Sequence, residues 1–283
     1  MIALFAVFIG IGRLIGGPSG AIIAFFLAAA MNLGSYWFSD KIVLRMAGAH
    51  PVSLQQAPQL YQSVERLAQR AQIPMPRLYI IDDPQPNAFA TGRNPKNAAV
   101  AVNTGLLQLL STSELDGVLA HELAHVKHRD TLTMAIVAAL AGGIMLLADM
   151  ARWGAIFGGF SGRDDEEGGT NPIVFIAALI VAPIAAMLVQ MAISRAREYE
   201  ADATAAHLTG SPRGLMSALG KLERGVHQIP THSMTPQTAH LCIANPFAGM
   251  GGMLSGLFST HPPMEKRIAA LQEVGQQMGE HAL

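Results

Sequence analysis

The run HELAH, His121 to His125, carries the clearest chemistry in this chain. Two residues four apart on a helix sit about 40° apart around its axis, so both imidazoles face one side. From a single helix they can clamp one Zn2+. Glu122, beside the first of them, can take a proton from an attacking water. Such a constellation performs metal-assisted hydrolysis. An amphipathic helix with two chance histidines has the same pattern, so the reading needs a third protein ligand, as open zinc sites usually have.

Known zinc proteases supply that ligand in different ways. The metzincin pattern wants Gly at position 128 and His at 131, where this chain has His128 and Thr131. Site-2-type enzymes put HExxH inside a membrane span and use a distant Asp, whereas HELAH precedes the apolar stretch here. The nearby Asp116 of Leu115–Gly117 shares the helix and points roughly 140° away from His121. A Glu on a downstream helix remains. Glu198 in SRAREYEAD, Ser194 to Asp202, is such a residue. Taken alone it reads equally as a ligand or as an exposed helix charge, the reading given to Glu200.

The elements that must hold these groups follow from composition and periodicity. Charged residues are 14% of the chain, against roughly 25% in soluble domains. That deficit calls for a bilayer. Four apolar stretches supply it, at about residues 2–15, 20–37, 131–147 and 172–193. Lys41 and Arg45 follow the second, Lys127 and Arg129 precede the third, and Arg195 and Arg197 follow the fourth. The opposite ends carry Arg13, Arg152 and Arg163, the last beside four acids. The positive-inside bias therefore places residues 38–130 and 194–283 in the cytoplasm. The expected division is a helical hairpin at 1–37, the first part of a protease domain at 38–130, a second membrane helix pair at 131–193, and the rest of the domain at 194–283. A net charge of −1 offers no footprint for nucleic acid. The single Cys242 reads as a small apolar residue.

Within the polar segments, Leu60, Val64 and Leu67 recur at helical spacing, and Pro74 and Pro76 end that helix. Arg77–Asp83, Asn87–Gly92 and Asn97–Asn103 read as a small sheet. Ser111 with Glu114 three residues on is a capping box that opens the HELAH helix. That helix shows no breaker before the third apolar stretch, which sets the metal on the order of 10 Å from the bilayer edge.

HExxH followed by SRxxExxAD resembles the HtpX-type membrane zinc proteases, relatives of the CAAX prenyl proteases. Ser194, Arg195, Glu198, Ala201 and Asp202 match residue for residue. NAFATG (Asn87–Gly92) resembles the family's segment before a substrate-binding edge strand, and HPPMEKRI (His261–Ile268) its C-terminal HPxxxxRI. The likeness runs from about residue 51 to 271. It implies Glu198 as third zinc ligand and Asp202 as a partner that orients a ligand histidine. The implied fold is α+β and mainly α-helical, with multi-pass membrane helices and a cytoplasmic gluzincin-type domain carrying a small sheet. The implied role is quality control of misfolded membrane proteins in the cell inner membrane, with unfolded polypeptides as substrates. Asn97–Asn103 is expected to take substrate as an added strand, and His261 to donate to the oxyanion. Two rivals stand beside this reading. One is a specific processing protease, such as one that trims lipidated peptides. The other is an inactive scaffold with a structural zinc, in which an intact Glu122 would serve no purpose.

Overall fold

A computed structural model describes residues 16–20, 22–27, 30, 37, 38, 40–134, 172–229 and 262–279. The first apolar stretch, most of the third, Cys242, the Gly/Met-rich tract 245–256 and His261 lie outside the described residues. Among the described residues, no helix is long and apolar enough to cross a membrane. Backbone packing divides the chain into two compact units. One is Met1–Tyr36 with Thr133–Ala192; the other is Trp37–Leu132 with Ile193–Leu283. The second holds every described residue of the candidate site.

That unit is mainly helical with one small mixed sheet. Strands β1 (His50–Pro51), β2 (Arg77–Ile81), β3 (Ala88–Thr91) and β4 (Ala99–Asn103) lie in the order β1-β2-β4-β3. β2 and β4 run parallel, with Arg77 opposite Ala99 and Ile81 opposite Asn103. The outer pairs are antiparallel. The alternation in AVAVN explains how β4 packs. Val100 and Val102 face the helices, while Ala99 and Ala101 face a second cluster with Ile81, Phe89, Leu44 and Ala47. β4 is thus paired on both sides and cannot accept an added strand. The expectation placed on Asn97–Asn103 is corrected: among the described strands β3 lies at that edge of the sheet, with the two-residue β1 at the other.

Among the described residues, the helices that frame the site are α1 (Pro58–Ala71), α2 (Thr104–Leu109), α3 (Thr112–His128), α4 (Pro172–Thr209), α5 (Arg213–Gln228) and α6 (Met264–Gln277). Leu60, Val64 and Leu67 form the buried stripe of α1, packed with Val118, Leu119 and Leu123 of α3 and Leu215, Leu219 and Leu222 of α5. Gly117 and Gly214 let α3 and α5 meet backbone to backbone. A Cβ on Gly117 would lie 2.6 Å from the Leu215 nitrogen, and one on Gly214 2.3 Å from the Ser113 carbonyl oxygen. Asp116, beside that crossing, pairs with Arg66 of α1.

The start of α3 is clamped electrostatically. The Glu114 carboxylate accepts from the Ser111 N–H at 2.8 Å, the Ser217 hydroxyl at 2.6 Å and the Lys221 ammonium at 2.7 Å. Burial opposes its ionisation, but Lys221, Ser217 and Ser111 outweigh it and hold the pKa near about 2. The sign follows from that depression: the stabilisation is full above the ordinary carboxylate range and is lost as pH falls toward 2. Glu114→Gln should therefore cost about 1–3 kcal/mol at neutral pH. Denaturation in detergent across a pH series should show the gap to wild type closing below pH 4. A gap that stays constant into acid would contradict the clamp.

α3 does not continue unbroken. It ends at His128, and Arg129 adopts the left-handed region at φ 58°, ψ 40° before helical backbone resumes at 130–134. No Gly or Pro announces this stop. The 10 Å estimate, which assumed a continuous helix, falls with it.

Candidate active site

α3 carries His121, Glu122 and His125, and α4 carries Glu198 and Asp202. All but His125 are buried, at most 5% exposed, and His125 is half-buried. His121, His125 and Glu198 each offer one ligand atom, and these atoms lie within 4.8 Å of one another. The two Nε2 atoms are 3.1 Å apart. Each lies 3.6 Å from a Glu198 carboxylate oxygen.

The far nitrogens decide what the near ones can do. His121 Nδ1 is 2.9 Å from Asp202 Oδ1, and His125 Nδ1 is 2.7 Å from Asp130 Oδ2. A carboxylate only accepts, so each Nδ1 carries the proton and donates it, leaving both Nε2 atoms as bare lone pairs. Two bare lone pairs and a carboxylate converging at these distances repel unless a cation stands between them. A tetrahedral ion with bonds of about 2.0–2.1 Å holds its ligand atoms roughly 3.3–3.4 Å apart. The Nε2–Nε2 edge of 3.1 Å and the 3.6 Å separations of His121 from Glu198 Oε2 and of His125 from Glu198 Oε1 lie near that value. The donor set fits a small divalent cation with one position left open.

Without such an ion, a proton relieves the repulsion. Burial and Arg267 oppose a charge on His121, yet Asp202 and Glu198 raise its pKa to about 9. Burial and the neighbouring His121 push His125 down. Metal and proton compete for the His121 lone pair, so binding near neutral pH releases a proton. Glu122 is not among the three donors. Burial pushes its carboxyl up, against the pull of both histidines, and it accepts a hydrogen bond from the Ala90 backbone N–H. A buried carboxylate of raised basicity next to the donors is placed to act as a general base.

Two partners of the site were not legible from spacing. On an unbroken helix Asp130 would point about 140° away from His125. The left-handed turn at Arg129 swings it back, and Arg197 of α4 holds its other oxygen. Arg267 of α6 is fully buried. Its Nε and Nη2 donate to Asp202 at 2.8 and 2.7 Å, and its Nη1 lies 3.4 Å from Glu198 Oε2. Arg267 falls inside HPPMEKRI, so that run held a signal for it; Asp130 had none. His261 lies outside the described residues.

Glu200 sits on the other side of α4, half-exposed, and pairs with Arg197 at 2.8 Å. Two residues apart on a helix project about 160° apart. Glu198→Ala should therefore lose the metal, because two histidines hold a catalytic ion poorly. Asp202→Asn should weaken metal affinity about 10–100-fold, while Glu200→Ala leaves it unchanged. Metal titration of the three variants in detergent checks this order; metal retained by Glu198→Ala but lost by Glu200→Ala would invert the assignment.

Comparison with known proteins bears on this geometry. The model of peptidase family M48 matches residues 54–274. Protease HtpX homolog of Syntrophobacter fumaroxidans is 53% identical over 272 residues, covering 96% of each chain. Protease HtpX homolog of Pyrococcus abyssi is 51% identical over 279 residues, covering 99% of this chain and 95% of that one. The crystal structure of S. mikatae Ste24p aligns with a TM-score of 0.60 at 22% identity. It covers 95% of this chain and 62% of its own, a likeness of fold.

Proposed function

This chain belongs to peptidase family M48 and is a metalloprotease that hydrolyses peptide bonds, and from that premise we propose a zinc endopeptidase anchored in a membrane by its own helices and working at the cytoplasmic face. The observation that carries the proposal is the convergence of His121, His125 and Glu198 with both Nδ1 atoms tied to carboxylates. Imidazole and carboxylate donors at these separations suit zinc. Bound there, zinc supplies a Lewis acid that polarises the scissile carbonyl and acidifies water.

The chain's own residues do the rest. Glu122 takes the proton of the attacking water and returns it to the leaving amine. Asp202 and Asp130 keep the two imidazoles in the tautomer that presents Nε2. β3 is an edge strand, and its Ala90 N–H reaches Glu122. A substrate segment added to that edge as a strand would lie beside the base, held by main-chain bonds that tolerate many sequences. His261, ahead of α6, is assigned to the oxyanion.

Sequence tolerance suits a protease that clears misfolded or damaged membrane proteins. The apolar stretches 2–15, 20–37, 131–147 and 172–193 would span the inner membrane, with residues 38–130 and 194–283 together in the cytoplasm. The division into two compact units supports this organisation. No nucleic acid takes part. The test is proteolysis of unfolded and folded membrane proteins by wild-type and Glu122→Gln protein, with zinc present or chelated. Cleavage of the unfolded form by zinc-loaded wild type alone is expected. Cleavage that survives chelation would end the zinc reading, and preference for a folded substrate at one bond would favour a processing role.

A further inference from the structure

The backbone is helical at Trp37 and Phe38 and again over 40–46. At about 100° per residue, Lys41, Ile42, Arg45 and Met46 share one half of the 40–46 helix, with Trp37 and Phe38 exposed just ahead of it, and Asp40, Leu44 and Ala47 share the other half. The second half is anchored. Leu44 and Ala47 are buried with Ile81, Phe89, Ala99 and Ala101 of the sheet. Asp40 is buried and pairs with Arg77 of β2. The first half faces outward, as do the two aromatics ahead of it: Trp37 is 54% exposed, Phe38 49%, Ile42 47% and Met46 54%.

The charges on that outward half all have one sign. Lys41 stands 5.5 Å over the Phe38 ring. The Arg93 guanidinium stands 4.5 Å over the Trp37 ring and donates to the Trp37 carbonyl at 3.2 Å. Arg45 is exposed beside them. The one acid of this segment, Asp40, is turned inward. Large amphipathic aromatics and aliphatics, interleaved with cations and free of exposed carboxylate, match the boundary of an anionic bilayer, where rings enter the headgroup layer and cations meet phosphates. The apolar stretch 20–37 feeds into this face in sequence.

We propose that the outward face made by Trp37, Phe38 and the 40–46 helix is a lipid-contact surface that lays the protease unit on an anionic membrane. The proposal rests on the membrane-protease reading above and adds a defined face to it. Because Leu44, Ala47 and Asp40 fix the helix to β2 and the sheet, this face also fixes the tilt of edge strand β3 to the bilayer. Arg93 links the two regions: it also lines a small pocket with Thr91, Asn94, His125 and Arg129.

Spin labels test the surface in the full chain. Ile42→Cys, Met46→Cys and, as a control on exposed α1, Gln69→Cys are placed in a Cys242→Ser background. Each is reconstituted in nanodiscs of mixed phosphatidylcholine and phosphatidylglycerol. Labels at 42 and 46 should be relaxed by oxygen and shielded from an aqueous nickel complex, with the label at 69 showing the reverse. The double change Ile42→Glu, Met46→Glu should cut cleavage of a bilayer-embedded substrate roughly tenfold or more. It should leave cleavage of an unfolded soluble chain in detergent unchanged. Labels at 42 and 46 as open to nickel as the one at 69, in protein that still floats with vesicles, would overturn the surface and leave the membrane protease standing. Dipolar broadening between labels at 42 would also overturn it, by showing a second copy on this face. Protein that fails to float with vesicles would end both readings.

Discussion

Glu122→Gln should abolish cleavage while the protein keeps its metal and its fold. Gln has the shape of Glu and can still accept the Ala90 N–H, so the buried side chain at 2% exposure is refilled without a cavity. What it lacks is basicity. A positioned general base contributes on the order of 10²–10⁴ in rate, and that factor should disappear from turnover. The metal should stay, because the converging donors are His121, His125 and Glu198. Stability should hold or rise, since a carboxylate pushed toward neutrality by burial is exchanged for a neutral amide. Elemental analysis, a peptidase assay and a melt on one preparation read all three quantities. Retained turnover would sink Glu122 as the base. Loss of metal with turnover would move it among the ligands.

Periodicity and punctuation made much of this fold legible. The Leu60–Val64–Leu67 stripe became α1, and the Ser111/Glu114 pair became the cap of α3. These are local effects, written in residues three or four apart. The two groups that the structure sets against His121 and Glu198 from afar, Asp202 and Arg267, divide by the same logic. Asp202 is one turn from Glu198 on the same helix and could be placed by angle. Arg267 arrives from a helix 65 positions further on, and only packing brings it there. The left-handed Arg129 was illegible for another reason. A non-glycine residue held at positive φ is sustained by its surroundings, here by the pull of His125 and Arg197 on Asp130. The inward place of β4 was missed because a short alternating run fits an edge strand and a central one equally well.

Arg267→Met should cost about 3–5 kcal/mol in metal-free protein, the largest stability effect expected outside the hydrophobic core. Arg267 is fully buried, and Asp202 beside it is 1% exposed. The guanidinium occupies both Asp202 oxygens at 2.7 and 2.8 Å and reaches Glu198 at 3.4 Å. Met fills a similar volume but leaves the two interior carboxylates with only the His121 imidazolium as counter-charge. Removing the guanidinium costs far more than the intact pair contributes. Two comparisons separate this account from simple loss of packing. Adding Asp202→Asn to Arg267→Met removes one orphaned charge, so the double variant should be more stable than Arg267→Met alone, a non-additive cycle. Saturating metal should also recover part of the loss, because a divalent cation beside Glu198 and His121 supplies positive charge to the same carboxylates. Arg267→Lys should rescue little, since an ammonium cannot span both Asp202 oxygens and Glu198 together. Melts of the four proteins with and without metal decide it. Additive losses, untouched by metal, would reduce Arg267 to a packing residue. Non-additive losses that metal relieves would make α6 part of the charge balance that lets His121 present a bare nitrogen to the ion.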